Sequence, residues 1–83
     1  MKGVVHFINQ RRGMVAVLTE DGYSIFELLG GDRVELGDSV SWQDDTALGS
    51  EILSNNTQDE CYEVYFQNHH VHESQLRQQL LIR

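Results

Sequence analysis

Three histidines and a single cysteine are the side chains with the most obvious capacity for metal chemistry. His69, His70 and His72 lie close together, and Cys61 precedes them. Imidazole and thiolate are good zinc ligands, but structural zinc sites use spaced pairs such as C-x2-C or H-x3-H. Adjacent His69 and His70 would also point to opposite faces of an extended segment. We therefore predict exposed loop histidines and no metal site.

Catalysis requires a nucleophile beside a base, or two carboxylates that face each other in a cleft. Asp44 and Asp45 fall in a polar turn, where solvation accounts for them. No pattern places Cys61 beside a histidine. Gly30-Gly31 lacks the G-x-G-x-x-G and Walker spacings that cradle phosphates. The sequence therefore predicts a protein that is not an enzyme and that uses no cofactor.

Charge is spread unevenly along the 83 residues, whose formal net charge is −7. Residues 1–13 contain Lys2, Arg11 and Arg12 and no acid, whereas residues 14–60 contain eleven acids and one base. Binding to nucleic acid strengthens with each phosphate that is neutralised, so this acidic body argues against strong, general nucleic-acid binding. The basic start leaves a weak site open.

Length and cysteine content limit the class of protein. Eighty-three residues fill one domain, whose core is too small for a deep substrate cavity. A single cysteine excludes an intrachain disulfide, which fits a reducing compartment. No segment approaches the roughly 20 apolar residues that cross a bilayer, and no secretory leader pattern is present. We expect a cytoplasmic protein without membrane contact.

Apolar alternation and turn residues divide the first part of the chain into short strands. The second and third strands are joined by Glu20-Asp21-Gly22, since Asp-Gly tolerates the positive φ angles of a tight hairpin. Five short strands with glycine-marked bends favour a small closed barrel, which leaves no exposed sheet edge. The predicted strands are residues 3–8, 13–19, 23–29, 39–43 and 51–54.

Residues 56–83 are predicted to extend beyond a barrel formed by residues 1–55. Residues 61–66 alternate and indicate a sixth strand, one face of which carries Tyr62, Val64 and Phe66. The fold class is therefore mainly β: a five-stranded OB-type antiparallel barrel, a sixth strand and a short C-terminal α-helix.

The helix is indicated by the i, i+4 spacing of Leu76 and Leu80. Leu81 or Ile82 extends this apolar stripe. The candidate N-caps are His72 and Ser74, and serine is the better capping residue. Because a helix this short is marginal alone, it must dock on the barrel or on a partner.

The first 29 residues resemble the cold-shock domain, an OB-fold family that binds single-stranded nucleic acid. That family runs G-x-V-K-W-F-N, then K-G-F-G-F-I and, after an acidic hairpin, V-F-V-H-F. The same spacing here reads G-V-V-H-F-I-N from Gly3, R-G-M-V-A-V from Arg12 and I-F-E-L-L from Ile25, without a gap. L-G-D-S-V from Leu36 resembles the family's lead into the fourth strand.

The resemblance implies an exposed platform of aromatic rings for base stacking, which is worth about 1–3 kcal/mol per base. Carried over position by position, rings remain only at Phe7 and Phe26. The platform positions that lose a ring become Met14, Ala16, Leu28 and Leu29, and the family's lysine becomes His6. The nucleic-acid surface that this implies comprises Lys2, His6, Phe7, Arg11, Arg12, Met14 and Phe26.

One further departure concerns the third strand. Glu27 falls where the family buries a valine, which indicates that this strand is shifted or bulged.

The replacements are apolar, and an apolar patch on a small protein usually marks an interaction site. This patch would comprise Phe7, Met14, Phe26 and Leu28, and its partner would be another protein or a second copy of the chain. Alternatively, the C-terminal helix covers the patch with its leucines and turns it into core. The sequence thus predicts a non-enzymatic OB-fold binding module, with weak binding of single-stranded RNA or DNA and binding of a protein as the two alternatives.

Overall fold

The structure, a computed structural model, describes residues 1–81 and forms a closed antiparallel barrel of six strands. The strands are β1 (Lys2–Asn9), β2 (Met14–Thr19), β3 (Gly22–Leu28), β4 (Ser39–Ser41), β5 (Gly49–Asn55) and β6 (Glu60–Val71). Their order around the barrel is β1-β2-β3-β6-β5-β4, and β4 closes on β1. The predicted fold class is confirmed, and the barrel is consistent with an OB-like fold.

Strand β6 belongs to the barrel itself. It pairs with β3 along one side and with β5 along the other. From the sequence alone, this strand is expected in an extension of a barrel that is complete at residue 55. The twelve residues of β6 are long enough to pair with both neighbours, and without them β3 and β5 would be left as open edges.

Two glycines allow the close approaches at the first hairpins. Gly22 follows the Glu20–Asp21 turn with a φ of +103°, a conformation that favours glycine, so the predicted Asp-Gly hairpin is confirmed. Gly3 lies where β1 crosses β2, and a Cβ there would collide with the backbone carbonyl of Leu18. Neither position accommodates a larger residue without a shift of the strand.

The barrel interior is filled by the inward residues of all six strands. As predicted, Tyr62, Val64 and Phe66 share the buried face of β6. The ring of Trp42 lies 4.8 Å from that of Phe66, centroid to centroid. The whole interior cluster comprises Val5, Val15, Val17, Phe26, Val34, Val40, Trp42, Leu53, Tyr62, Val64 and Phe66.

After β6, the described residues form one turn of 3-10 helix, Glu73–Gln75, followed by the short helix α1, Leu76–Gln79. His72 is the N-cap of the first turn, because its Nδ1 accepts a hydrogen bond from the Ser74 backbone N–H at 3.1 Å. Leu76 and Leu80 are buried against the barrel, which confirms the predicted docking. Leu81 is 52% exposed, and Ile82 lies outside the described residues.

Within residues 1–81, no helix has the length and apolar character needed to cross a membrane.

Candidate binding surface

The outer face of β2 and β3, where the resemblance implies a stacking platform, is largely covered by the C-terminal helix. Met14 and Ala16 on this face are buried. They form a second apolar cluster outside the barrel, whose other members are Tyr23, Ile25, Val71, Leu76 and Leu80. A nucleic-acid base cannot reach these positions while the helix is docked. This part of the surface is buried core.

Phe26 lies inside the barrel, with its side chain fully buried and its ring 5.6 Å from that of Phe66. The expectation that Phe26 shares an exposed face with Phe7 is therefore wrong. The reason is the position of Glu27. Because side chains alternate along a strand, putting Phe26 outside would put Glu27 inside, at the cost of burying an unpaired carboxylate. Instead, Glu27 lies at the surface, where Oε1 accepts from Gln67 Nε2 at 3.3 Å.

The four-residue apolar patch predicted as the alternative site does not assemble. Phe26 is inside, Met14 is under the helix, and Leu28 packs against the barrel core from a partly buried position. Only Phe7 of this set is substantially exposed. The two sides of the barrel wall separate these residues, so the patch as predicted is wrong.

A different apolar surface remains open on the outer face of β1 and β2. Val4, Phe7 and Leu18 are each about two-fifths exposed, with values of 41%, 41% and 38%. Val4 lies directly opposite Leu18 across the two strands. The register of the β1–β2 pairing shifts between Val5 and Phe7, and this shift turns the Phe7 ring outward. We call Val4, His6, Phe7 and Leu18 the β1–β2 patch. Sequence reasoning did not single out Val4 or Leu18, although alternation with the buried Val5 and Val17 signals both.

The β1–β2 patch is bordered by Tyr23. Its ring lies 5.9 Å from His6 and 6.2 Å from Phe7, centroid to centroid. The Tyr23 hydroxyl lies 3.3 Å from His6 Nδ1. Burial, and secondarily the nearby Glu73 carboxylate, raise the pKa of Tyr23 above 10.0, so the phenol is neutral at pH 7 and can donate to that nitrogen. Tyr23 thus holds the orientation of the exposed His6 ring.

The basic residues expected around the platform are not gathered in one place. Lys2 starts β1 opposite Ser41, whereas Arg11 and Arg12 lie in the turn after the other end of the strand. The seven residue-to-residue steps of this eight-residue strand separate its two ends by roughly 23 Å. Arg12 contributes to a shallow cleft beside the helix, whose other lining residues are Met14, Glu27, Gln67, Gln78, Gln79 and Leu81. Lys2 and the two arginines cannot neutralise neighbouring phosphates together.

His69 has a structural role that the sequence did not reveal. It was predicted to be an exposed loop residue, but it lies in β6 and turns inward at a bulge in the pairing with β3. Its Nδ1 lies 2.8 Å from the Ser24 hydroxyl, and its Nε2 lies 2.6 Å from the Ala47 carbonyl. The carbonyl can only accept, so Nε2 carries the proton and Nδ1 accepts from Ser24.

This arrangement of serine, histidine and carbonyl has the order of a catalytic triad, but its nucleophile is inaccessible. Ser24 is only 3% exposed and lies in the barrel wall. The His69 ring is stacked on Phe66 at 5.0 Å. The hydrogen bonds therefore tie the β4–β5 loop to the barrel, and the geometry offers a substrate no route to the hydroxyl.

The potential metal ligands are spread along β6. Cys61 is exposed near its start, with Sγ 3.5 Å from Ser54 Oγ, whereas the histidines are near its end. Among residues 1–81, no three histidine, cysteine or carboxylate side chains converge on a point that could hold a metal ion.

Comparison of the chain with protein-family models, with curated proteins and with solved structures finds no match.

Proposed function

We propose that this protein is a non-catalytic binding module that docks another protein through the β1–β2 patch. The observation that carries the proposal is the cross-strand pair of Val4 and Leu18 beside Phe7. These three apolar side chains are exposed to solvent. The other apolar residues on the outer face of β2 and β3 are buried under the C-terminal helix. Apolar surface that is contiguous and rimmed by polar groups is typical of protein interaction sites.

The same geometry weakens the case for nucleic acid. Of the two rings that the resemblance assigned to stacking, Phe7 alone is accessible. Lys2 lies at one end of β1, and Arg11 and Arg12 lie beyond the other end. Because these basic residues are far apart, binding to a continuous phosphate backbone would release few counterions. Docking of an apolar protein surface would bury Val4, Phe7 and Leu18 together, and all three would contribute binding free energy. Stacking of a nucleic-acid base would draw binding free energy only from the Phe7 ring.

Weak binding of single-stranded nucleic acid is the second candidate function, and the exposed Phe7 ring beside His6 favours it. Descent from a cold-shock-like barrel belongs to this proposal. It is supported by the gapless spacing of the motifs and by the six-stranded OB-like barrel. We also propose that the protein works in the cytoplasm, since the exposed thiol of Cys61 fits a reducing compartment.

Photo-crosslinking in the cells that make the protein tests the main proposal. We expect a Phe7→p-benzoylphenylalanine variant to form one discrete protein adduct upon irradiation. Adding Leu18→Asp, which places a carboxylate in the patch, should abolish that adduct. The matched control carries the photo-reactive residue at Leu36, an exposed position outside the patch. The same adducts from both positions, or an adduct with nucleic acid alone, would refute the proposal.

A further inference from the structure

The barrel wall has an opening between β4 and β5. These strands pair only at Val40 with Asn55 and at Ser41 with Ser54. Beyond that point β4 ends, while β5 continues as far back as Gly49. Within residues 1–81, the Gly49–Leu53 part of β5 pairs with β6 alone. This stretch is therefore an open sheet edge.

The hydrogen-bonding groups of this edge point toward the opening. Asn56 donates its backbone N–H to the Ser39 carbonyl, on the β4 side. N–H groups two residues apart point the same way along a strand, so those of Ser54, Ile52 and Ser50 face this side as well. The Ile52 N–H is bonded to the Oε1 of its own neighbour, Glu51, at 3.1 Å. A flexible glutamate side chain can leave this position when a better acceptor arrives.

A cleft of about 490 Å³ lies along the edge, and it is lined by Ser41, Trp42, Gln43, Glu51, Ile52 and Ser54. The backbone N–H and carbonyl of Trp42 are both used on Met1, which holds this side of the cleft against β1. The Trp42 indole N–H is buried, and residues 1–81 offer it no acceptor. The cleft thus presents the outward backbone N–H groups of β5 to an occupant.

The side chains around the cleft specify the occupant. Ile52 lines the cleft, is 55% exposed and would pack against apolar side chains of the occupant. Glu51 borders the cleft, and Glu63 lies opposite Ile52 on the neighbouring strand β6. These carboxylates favour lysine or arginine in the segment that binds.

We propose that an extended, basic segment of a partner protein adds to this barrel as a strand along Gly49–Leu53 of β5. Addition of a strand to a sheet edge gains main-chain hydrogen bonds for affinity and alternate side-chain contacts for specificity. A second copy of the chain is disfavoured, because pairing two β5 edges would bring like carboxylates together. The inference does not depend on the β1–β2 patch, and either site can fail alone.

The probe is a short fluorescein-labelled peptide of alternating lysine and valine, titrated by fluorescence anisotropy and by amide NMR. We expect saturable binding, with new protection of the Ile52 and Ser50 amides. Methylation of alternate peptide nitrogens, or replacement of its lysines by glutamates, should weaken binding at least about tenfold, as loss of a few hydrogen bonds predicts.

Two variants of the protein complete the test. Ile52→Pro removes the outward N–H without removing a β5–β6 hydrogen bond, and it should weaken binding about tenfold. Ile52→Thr keeps the N–H and is the matched control. If Ile52→Pro does not fold, loss of binding in Glu51→Gln with Glu63→Gln serves instead. Absence of binding, equal binding of the methylated peptide, or shifts confined to Val4, Phe7 and Leu18 would overturn the proposal. Dimerisation through the β5 edge would overturn it as well.

Discussion

The side-chain amide of Asn9 donates a hydrogen bond to the backbone carbonyl of Leu80 at 2.6 Å, which joins the end of β1 to the C-terminal helix across 71 positions of sequence. The Leu80 side chain is itself buried beside Ala16 and Ile25. This hydrogen bond and the buried side chains of Leu76 and Leu80 hold the helix over a face that would otherwise be open. Whether that face is available therefore depends on this packing.

We expect Leu80→Ala to lower the free energy of unfolding by about 2–4 kcal/mol, the usual cost of truncating a leucine in a packed core. Leu81→Ala is the matched control, because Leu81 is half exposed and should contribute little. Urea unfolding followed by circular dichroism measures both. An unchanged midpoint for Leu80→Ala would mean that the helix is not docked in solution.

The strands could be predicted from the sequence because alternation and turn residues act locally. The pattern Tyr62, Val64, Phe66 determines one buried face, and Gly22 determines the first tight hairpin. The membership of β6 in the barrel was missed because closure depends on pairing between distant strands. Its continuation to Val71 was missed because residues 67–70 are all polar, so the apolar alternation stops at Phe66. The pairing of β6 with β3 is also irregular in this stretch.

The candidate site was predicted less well, because a shift of one residue along a strand reverses which side chains face inward. A family motif places Phe26 on an exposed face, but the cost of burying Glu27 decides which of two adjacent residues faces inward. The helix docking that buries Met14 was among the alternatives, and the sequence alone could not choose it. The outward direction of Val4 and Leu18 could be predicted from apolar alternation. The pair belongs to no binding motif, so the sequence did not mark it as a site.

The hydrogen bonds of His69 should contribute measurably to stability. Ser24→Ala removes the donor to Nδ1 and leaves a partly buried acceptor unsatisfied, so we expect a loss of about 1–3 kcal/mol in the free energy of unfolding. Ser50→Ala, at an exposed position of β5, is the control. Chemical denaturation measures the loss, and faster hydrogen exchange near Ala47 should accompany it. Equal stability of the two variants would contradict the role assigned to His69.

Alkaline pH should destabilise the barrel through Tyr62. Burial is the main cause that raises the pKa of this phenol above 10.0, nearby carboxylates add to it, and a hydrogen bond from Asn55 opposes it. Because the folded state then holds its proton more tightly than the unfolded state, this contribution is complete below pH 10.0 and declines as pH rises above it. Unfolding midpoints measured across this range should fall in the wild type.

The control for the pH experiment is Tyr62→Phe, which cannot ionise. It should be less stable than the wild type at neutral pH, because the hydroxyl contacts Asn55 and the Arg33 carbonyl. Its stability should nevertheless decline less steeply above pH 10.0. Parallel alkaline declines of the two proteins would show that Tyr62 does not carry the effect.

Binding to single-stranded oligonucleotides should be weak and should depend on one ring. Phe7 is the exposed ring of the β1–β2 patch, and a single stack supplies only about 1–3 kcal/mol. The acidic body repels phosphates, and Lys2 lies far from Arg11 and Arg12. We therefore expect a Kd near 10⁻⁴ M or weaker at physiological salt, rising steeply as salt is added. Titration of labelled protein with short oligonucleotides measures it.

Two substitutions of Phe7 separate nucleic-acid binding from protein binding. Phe7→Leu keeps an apolar side chain but has no aromatic face, so it should abolish residual oligonucleotide binding and leave docking of a protein nearly unchanged. Phe7→Ser loses both properties and should weaken both kinds of binding. If the wild type instead bound an oligonucleotide below micromolar concentration in a salt-tolerant way, the protein would be a nucleic-acid binder. The β1–β2 patch would then be its expected stacking surface, because it contains the exposed ring of Phe7.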